Sequence, residues 1–317
     1  MRTLISCGVT LLLLTAMPLR AERALLTHQS IDTVTVMQMD NAKRLAHIAV
    51  EKGPVGVAVD AAQQRAYVTH PEQGKISIID LNKYQLIGEV TTGGQPFSVV
   101  VDESDKRQVF VSDWERNAVL VINPESLMVV DILAVGESPA GMVLDSDKRL
   151  LYVANRNSNT VSVLDADTPR QYATIATGKA PYAMAINSDG SQVLVTSIQD
   201  HVLTVIDGER LEATATVETG RSPYGVAITP DDKTILVANQ AQNDVWIYAA
   251  SSLQKQAEVG VGKMPETINV SADNQRAYVT DWFSNEVSVI DIEKGEEIKR
   301  IAVEETPRSL GQFIFAD

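Results

Sequence analysis

AYVTDWFSNEVSVID, residues 277–291, and LYVANRNSNTVSVLD, residues 151–165, are nearly the same phrase written twice in one chain. In each, an alternating apolar run is followed by a short polar turn and a second alternating run, which is typical of a β-hairpin. The later phrase carries Trp282 and Phe283 at its turn, where the earlier one carries Arg156 and Asn157. The shared part indicates a repeated structural unit, and the turn is where the units differ.

The first strand of this phrase occurs seven times along the chain. Its aromatic or leucine position recurs with steps of 42, 43, 42, 42, 42 and 42, at Leu25, Tyr67, Phe110, Tyr152, Leu194, Leu236 and Tyr278. A proline recurs independently with the same steps, at positions 54, 96, 139, 181, 223, 265 and 307. Both series take their extra residue in the turn at 102–108. The chain therefore contains seven copies of one unit.

Each unit has four short apolar or alternating runs separated by turn residues, which we name strands a to d. In the unit that begins at Pro223 they are YGVAIT, TILVAN, DVWIYA and AEVGV. Four strands in a repeat of about 40–45 residues predict an all-β fold, a seven-bladed β-propeller of four-stranded antiparallel blades. The chain opens on a strand b at Ala24 and closes on a strand a at 309–315. The C-terminal strand is therefore expected to pair with the N-terminal strands and close the ring.

The N-terminus has the layout of a secretory signal peptide. An early Arg2 precedes an apolar run, which is too short to span a membrane, and Ala21 stands at the expected cleavage point. We therefore predict a signal peptide over 1–21, a propeller over 22–317 and a periplasmic or secreted location. The one cysteine, Cys7, would leave with the signal, so the mature chain would have no disulfide.

The composition argues against nucleic acid as a partner. Of the 27 Lys and Arg, Arg2 and Arg20 lie in the signal, which leaves 25 bases against 41 acids and a net charge of −16. Such a surface repels phosphate backbones. No second apolar segment is long enough to span a membrane, and motifs for covalent haem, nucleotide phosphate, zinc hydrolase or serine hydrolase chemistry are absent. No cofactor is predicted.

The phrases YVTD, YVAN and LVAN, each followed by a VSVID-type strand, resemble the YVTN family of β-propeller repeat proteins. The resemblance covers essentially all of residues 22–317 and implies a secreted propeller. Members of that family include periplasmic proteins, a DNA-binding representative and the propeller subunits of quinoprotein amine dehydrogenases, whose chemistry sits on partner chains. Because propellers host unrelated activities, the resemblance does not choose among functions.

The repeat allows one face of the propeller to be read as rings of equivalent positions. The d–a and b–c loops meet on this face, which we call the loop face, around the end of the central channel. The residues after the repeating prolines are Val55, Phe97, Ala140, Tyr182, Tyr224, Glu266 and Arg308. Two interpretations stay open: a polar and aromatic mouth for a ligand or a partner's side chain, or packing of blade ends with Glu266 paired to Arg308.

Two further rings suggest partners or ligands. Two residues before the prolines, bases outnumber acids. Together with Arg308, the bases Lys52, Lys179, Arg221 and Lys263 could form a positive arc for an anionic ligand or acidic partner, or be solvated charge. The last residues of strand b include His28, His70, Asp113 and Asp281, which are candidate metal ligands by chemistry but also turn-forming residues. Because neighbouring blades diverge there, no metal site is predicted from them.

The b–c loop tips differ most between units and are the strongest interaction candidates. Trp114 and the pair Trp282–Phe283 stand there, beside Arg156, and tryptophan at a loop tip is costly to expose unless a partner covers it. Packing against a neighbouring loop is the alternative. The predicted binding residues are Phe97, Trp114, Arg156, Tyr182, Arg221, Tyr224, Lys263, Glu266, Trp282, Phe283 and Arg308.

These observations favour a non-catalytic binding scaffold that uses the loop face to recognise a protein partner or a small ligand. One alternative is an accessory subunit of a periplasmic quinoprotein or cytochrome oxidoreductase that docks a redox partner. Another is a lactonase- or lyase-like propeller enzyme. The scarcity of histidine and the lack of a paired acid and base in the sequence argue against the enzyme.

Overall fold

The computed structural model describes residues 22–104 and 106–316. The predicted signal peptide, with Cys7, lies outside the described residues. The described part contains 29 β-strands in seven sheets and no helix. Each sheet corresponds to one blade of four antiparallel strands, and the sheet of blade 2 has one further short strand, which confirms the predicted all-β, seven-bladed propeller.

The strands of the first four blades follow in chain order. Blade 1 contains β1 (Glu22–His28), β2 (Thr33–Gln38) and β3 (Lys43–Ala49). Blade 2 contains β4 (Gly56–Asp60), β5 (Arg65–His70), β6 (Lys75–Asp80) and β7 (Gln85–Thr91). Blade 3 contains β8 (Pro96–Val101), β9 (Val109–Asp113), β10 (Ala118–Asn123) and β11 (Met128–Ala134). Blade 4 contains β12 (Pro139–Asp145), β13 (Leu150–Asn155), β14 (Thr160–Asp165) and β15 (Gln171–Ala176).

The remaining blades and the C-terminal strands complete the ring. Blade 5 contains β16 (Pro181–Ile186), β17 (Gln192–Ser197), β18 (Val202–Asp207) and β19 (Glu212–Glu218). Blade 6 contains β20 (Pro223–Ile228), β21 (Thr234–Asn239), β22 (Asp244–Ala249) and β23 (Lys255–Gly260). Blade 7 contains β24 (Pro265–Val270), β25 (Arg276–Asp281), β26 (Glu286–Asp291) and β27 (Glu296–Ala302). The last two strands are β28 (Leu310–Gly311) and β29 (Ile314–Ala316).

The two ends of the chain meet in blade 1, as the sequence predicts. Strand β29 pairs antiparallel with β1, with Ile314 opposite Ala24, and supplies the missing inner strand of that blade. Just before it, β28 pairs in parallel with β4 of blade 2, with Leu310 opposite Gly56. The C-terminal segment therefore joins blade 1 to blade 2 and closes the ring.

The innermost strands approach one another closely at the axis. A Cβ atom added to Gly56 would overlap the carbonyl oxygen of Phe97 in the next blade, and Gly141 has the same relation to Tyr182. A side chain at Gly56 or Gly141 would therefore push neighbouring blades apart.

The outermost strands each contain a β-bulge. In every blade, strand d has one extra residue opposite strand c. In four blades the side chain of this residue is apolar and exposed: Ile87, Val130, Tyr172 and Ile298. A bulge twists an edge strand and interrupts its free hydrogen-bonding row, which discourages pairing with another chain. Most of the exposed apolar residues of the outer rim therefore occupy this repeated bulge position.

Candidate functional site

Five residues on the loop face meet at the axis and close the channel there. We call Phe97, Tyr182, Tyr224, Glu266 and Arg308 the axial plug. The Phe97 and Tyr182 rings pack edge to face with centroids 6.0 Å apart, and those of Tyr182 and Tyr224 are 4.7 Å apart. Phe97, Tyr182 and Glu266 are 3–4% exposed, and Val55 and Ala140 are buried beside them. The predicted mouth is therefore filled with side chains.

A buried ion pair lies in the axial plug. Nε of Arg308 is 3.0 Å from Oε2 of Glu266, and Gln240 donates a hydrogen bond of 3.0 Å to the other carboxyl oxygen. Burial raises the pKa of Glu266, and the charge of Arg308 opposes that rise. Nη1 of Arg308 also donates to Gln29 Oε1 over 3.1 Å. Both charges are thus compensated within the protein.

Arg308 also connects aromatic residues from distant blades. Its guanidinium carbon lies 5.8 Å from the Phe97 ring centroid and 5.6 Å from the Trp282 ring centroid, both within cation–π range. Its Nη2 lies 3.4 Å from the Tyr182 hydroxyl. A residue of the C-terminal segment thus contacts blades 3, 5 and 7. These contacts favour the packing interpretation for Phe97, Tyr182, Glu266 and Arg308 over an open mouth.

Trp114 covers the axial plug. Its ring stacks on Phe97 with centroids 4.0 Å apart and an interplanar angle of 23°. Arg156 lies over the other side, with its guanidinium carbon 5.9 Å from the Trp114 centroid. Both Trp114 and Arg156 keep part of their surface exposed. Trp114 and Arg156 therefore lie between the buried axial plug and the solvent.

Phe283 is the most exposed aromatic residue of the loop face. Its side chain is 60% exposed and packs on Trp282 with ring centroids 4.7 Å apart. The backbone of this loop is fixed, because Phe283 N–H donates to Lys263 O over 3.1 Å and Trp282 N–H donates to Met264 O over 3.1 Å. Beside it is a shallow groove of about 330 Å³, the blade 7 groove, lined by Lys263, Trp282, Phe283, Asn285, Glu305 and Thr306.

Four bases of the predicted positive arc lie on the surface, whereas Arg308 lies in the axial plug, paired with Glu266. Lys52, Lys179, Arg221 and Lys263 are exposed, and none forms an ion pair with another residue in the described ranges. Lys263 lines the blade 7 groove, and Arg221 lies in the d–a loop that precedes blade 6. These bases are therefore available to an anionic group of a partner.

The metal-ligand candidates at the ends of strand b are internal to their own blades. His28 Nε2 lies 2.8 Å from Thr35 Oγ1, His70 Nε2 lies 2.9 Å from Ser77 Oγ, and Ser288 donates to Asp281 over 2.7 Å. Asp113 pairs with Arg116 over 2.9 Å. All four candidates are fully buried. Within residues 22–104 and 106–316, no three His, Cys, Asp or Glu side chains are grouped to hold a metal ion. We therefore assign this ring a structural role in linking strand b to strand c.

A large cavity lies under the axial plug, and the sequence analysis did not find it. It has a volume of about 730 Å³ and is lined by the inner strands of all seven blades. The repeat contained a signal for it, because the position five residues after each of the first six prolines is a branched aliphatic residue. Taken alone, that pattern is indistinguishable from ordinary core.

Comparisons with known proteins agree with this fold. The family described as "YNCE-like beta-propeller" matches residues 145–264. No curated protein matches the chain in sequence. The chain is a β-propeller. A functionally unknown protein from Desulfotomaculum acetoxidans has 13% identity and a TM-score of 0.80, covering 91% of this chain and 98% of its own.

Two further solved structures are similar to this chain. Hydrazine synthase from Kuenenia stuttgartiensis has 19% identity and a TM-score of 0.76, covering 90% of this chain and 99% of its own. The dihydro-heme d1 dehydrogenase NirN in complex with DHE has 14% identity and a TM-score of 0.68, covering 96% and 76% respectively. Identities this low establish the fold alone. Membership of the YVTN family and the likeness to amine dehydrogenase subunits stay predictions. Across the described ranges, none of the secondary structure is a helix of the length and hydrophobicity needed to cross a membrane.

Proposed function

We propose that this propeller is a non-catalytic binding protein that recognises a protein partner through Phe283 and the blade 7 groove. The observation that carries the proposal is an aromatic side chain 60% exposed on a loop whose backbone is held by hydrogen bonds to the next loop. Such a side chain loses little conformational freedom when a partner covers it. We further propose, from residues 1–21, that the protein acts in the periplasm or outside the cell.

The surroundings of Phe283 suit an acidic protein segment. Aromatic residues dominate the energetics of protein interfaces, and the groove beside Phe283 offers a place for one side chain of the partner. Lys263 at the groove and Arg221 on the same face have no intramolecular ion-pair partner among the described residues. A carboxylate on the partner could pair with Lys263, although Glu305 lines the same groove and the protein as a whole is acidic.

The axial plug supports a binding role over catalysis at the loop face. An enzyme that used Glu266 and Arg308 would need them free to act on a substrate, whereas they are bonded to each other and to Gln240 and Gln29. The accessory-subunit alternative uses the same surface. Two of the similar structures are a hydrazine synthase and a dehydrogenase of dihydro-heme d1, so a haem protein is among the partners to test.

The experiment is affinity capture from a periplasmic extract with immobilised residues 22–317, followed by affinity measurement with the purified partner. Phe283→Ala should weaken the partner's affinity by tenfold or more, about 1.4 kcal/mol, because it removes the exposed anchor. Tyr172→Ala is the matched control, since Tyr172 is also an exposed aromatic residue, 42% exposed, but lies on the outer rim. Equal affinity for Phe283→Ala and the unaltered protein would show that the proposed surface is wrong. A haem or quinone protein as the captured partner would favour the accessory-subunit alternative.

A further inference from the structure

The central cavity is a chamber that has both polar and apolar lining, carries a ring of aliphatic side chains and is closed at one end. At the loop face it ends against Tyr224 and Glu266 of the axial plug. At the other face it reaches the turns between strands a and b, where its lining residues are Ala61, Glu103, Ser146, Pro230 and Gln312. Access from solvent is therefore from the turn face, opposite to the surface proposed for the protein partner.

The strand pairing places one ring of seven aliphatic residues around this chamber. Each member pairs with the residue just before the repeating aromatic or leucine position of strand b. The aliphatic ring consists of Val59, Val101, Leu144, Ile186, Ile228, Val270 and Ile314, and all seven line the cavity. The seventh member comes from β29, so the ring is complete only when the chain has closed.

The aliphatic ring is more exposed than a protein core. Six of its members are only partly buried, although they are branched aliphatic residues, and Ile314 is 7% exposed. A ring of partly accessible aliphatic side chains inside a cavity offers a contact surface for an apolar group. Binding an apolar molecule would remove this surface from water.

The polar groups of the wall are largely engaged within the protein. Asn269 Nδ2 donates to Gly311 O over 3.1 Å, and its Oδ1 accepts from Phe313 N–H over 2.7 Å. Thr267 Oγ1 donates to Arg308 O over 3.0 Å. These side chains hold the C-terminal segment in place, and the aliphatic ring supplies an apolar contact surface beside the polar part of the lining.

The charges of the lining limit the head group that a ligand could carry. Glu103 at the open end and Glu266 at the closed end carry carboxyl groups, and among the described residues the lining includes no Lys, Arg or His. An anionic head group at the turn face would meet Glu103 without a compensating base. A neutral or cationic head group would meet no such repulsion.

We propose that the chamber binds one small amphipathic molecule, with its apolar body against the aliphatic ring and a neutral or cationic head at the turn face. A volume of about 730 Å³ lies in the range of pockets that bind small organic ligands. This site is independent of the partner surface at Phe283. The two proposals can therefore fail separately.

The test is a fluorescence titration of the purified protein with the neutral apolar dye N-phenyl-1-naphthylamine. We expect saturable binding of one dye per protein. Ile228→Arg should weaken the affinity by roughly tenfold or more, because it places a charge in the aliphatic ring. Ile298→Arg is the matched control, since it makes the same replacement on the exposed outer rim and should leave the affinity unchanged. The anionic dye 1-anilinonaphthalene-8-sulfonate should bind roughly tenfold more weakly than the neutral dye.

A second variant covers the case in which Ile228→Arg fails to fold. Leu144→Ser also alters the aliphatic ring and introduces no charge, and its folding can be checked by circular dichroism. Unchanged affinity in a folded Leu144→Ser or Ile228→Arg variant would overturn the proposal. Loss of binding in Ile298→Arg would do the same, because it would place the dye on the outer rim. Phe283→Ala should leave dye binding intact.

Discussion

Replacing Asp281 by asparagine should stabilise the protein, and the gain should depend on pH. Asp281 is fully buried at the end of β25, and burial raises the pKa of its carboxyl from 3.8 to about 7. Its Oδ2 accepts from Ser288 Oγ over 2.7 Å, but Glu297 Oε1 lies 2.7 Å from the same hydroxyl and competes for its one hydrogen. Oδ1 has no hydrogen-bond partner among the described residues. A charged Asp281 is therefore poorly compensated.

The equivalent residue in blade 4 shows what an asparagine does at this position. Asn155 Nδ2 donates to Ser162 Oγ over 3.0 Å, and Asn155 Oδ1 accepts from Gly136 N–H over 3.0 Å. In Asp281→Asn the new amide would donate to Ser288 in the same way. That bond would leave the serine hydrogen to Glu297, and Oδ1 could accept from Gly262 N–H, which now donates to Ser288 Oγ over 3.3 Å.

The magnitude follows from the pKa difference between the folded and unfolded states. A rise from 3.8 to about 7 corresponds to roughly 4 kcal/mol of lost stability above pH 7, at about 1.36 kcal/mol per pH unit. Because the folded pKa is raised, the folded state holds the proton more tightly, so stability is retained below pH 4 and lost as the pH rises towards 7. Between pH 5 and pH 8 the loss is about 2–3 kcal/mol.

The assay is urea unfolding of the wild type and the Asp281→Asn variant at pH 5 and pH 8. The variant's advantage in free energy of unfolding should be about 2–3 kcal/mol larger at pH 8 than at pH 5. Asp113→Asn is the matched control in blade 3, where the carboxylate pairs with Arg116 and accepts from three backbone N–H groups. That substitution should destabilise the protein at pH 8 by about 1–3 kcal/mol. An advantage of Asp281→Asn that is the same at both pH values would refute the reasoning.

Two further predictions concern the axial plug and the ring closure. Arg308→Ala should lower the free energy of unfolding by about 3–5 kcal/mol, because it leaves the buried Glu266 unpaired, and the double variant Glu266→Leu/Arg308→Met should lose less than half as much in the same urea assay. An equal loss in both would contradict the pairing argument. Deleting residues 308–317 should expose the inner edge of β1 and cause aggregation in size-exclusion chromatography. A monomeric, cooperatively unfolding truncation would contradict the closure.

The fold was predictable from the sequence because all seven units carry similar residue types at equivalent positions. The proline, the small residue two positions later and the aromatic or leucine of strand b each mark the same place in every blade, so seven units and their closure follow from spacing alone. The loop-face residues were identified, but whether they form a mouth or a plug depends on the width of the ring. Arg308 contacts Phe97 and Trp282 across the axis, and no spacing along the chain encodes that contact.

The cavity was missed for a related reason. A branched aliphatic residue at the end of strand a looks the same whether it faces a neighbouring blade or the axis, and only the strand register shows that seven of them share one chamber. Phe283 could be singled out from the sequence because it departs from its own repeat, but only the structure shows that its side chain is exposed. A residue that differs from its equivalents in the other units stands out as a candidate for function. A residue type that all units share is first assigned to the scaffold, and the aliphatic ring was overlooked for this reason.

The position of β29 has a consequence for how the protein is made. Strands β1 to β3 leave the ribosome before blades 2 to 7, yet the inner strand of their blade, β29, follows blade 7 in the chain. Blade 1 can therefore be completed only after the whole chain is available, and the Arg308–Glu266 pair and the aliphatic ring form at the same late step. Contacts between the two ends of a chain are slow to form. Until β29 has paired with β1, the inner edge of β1 is open and blade 1 has three strands.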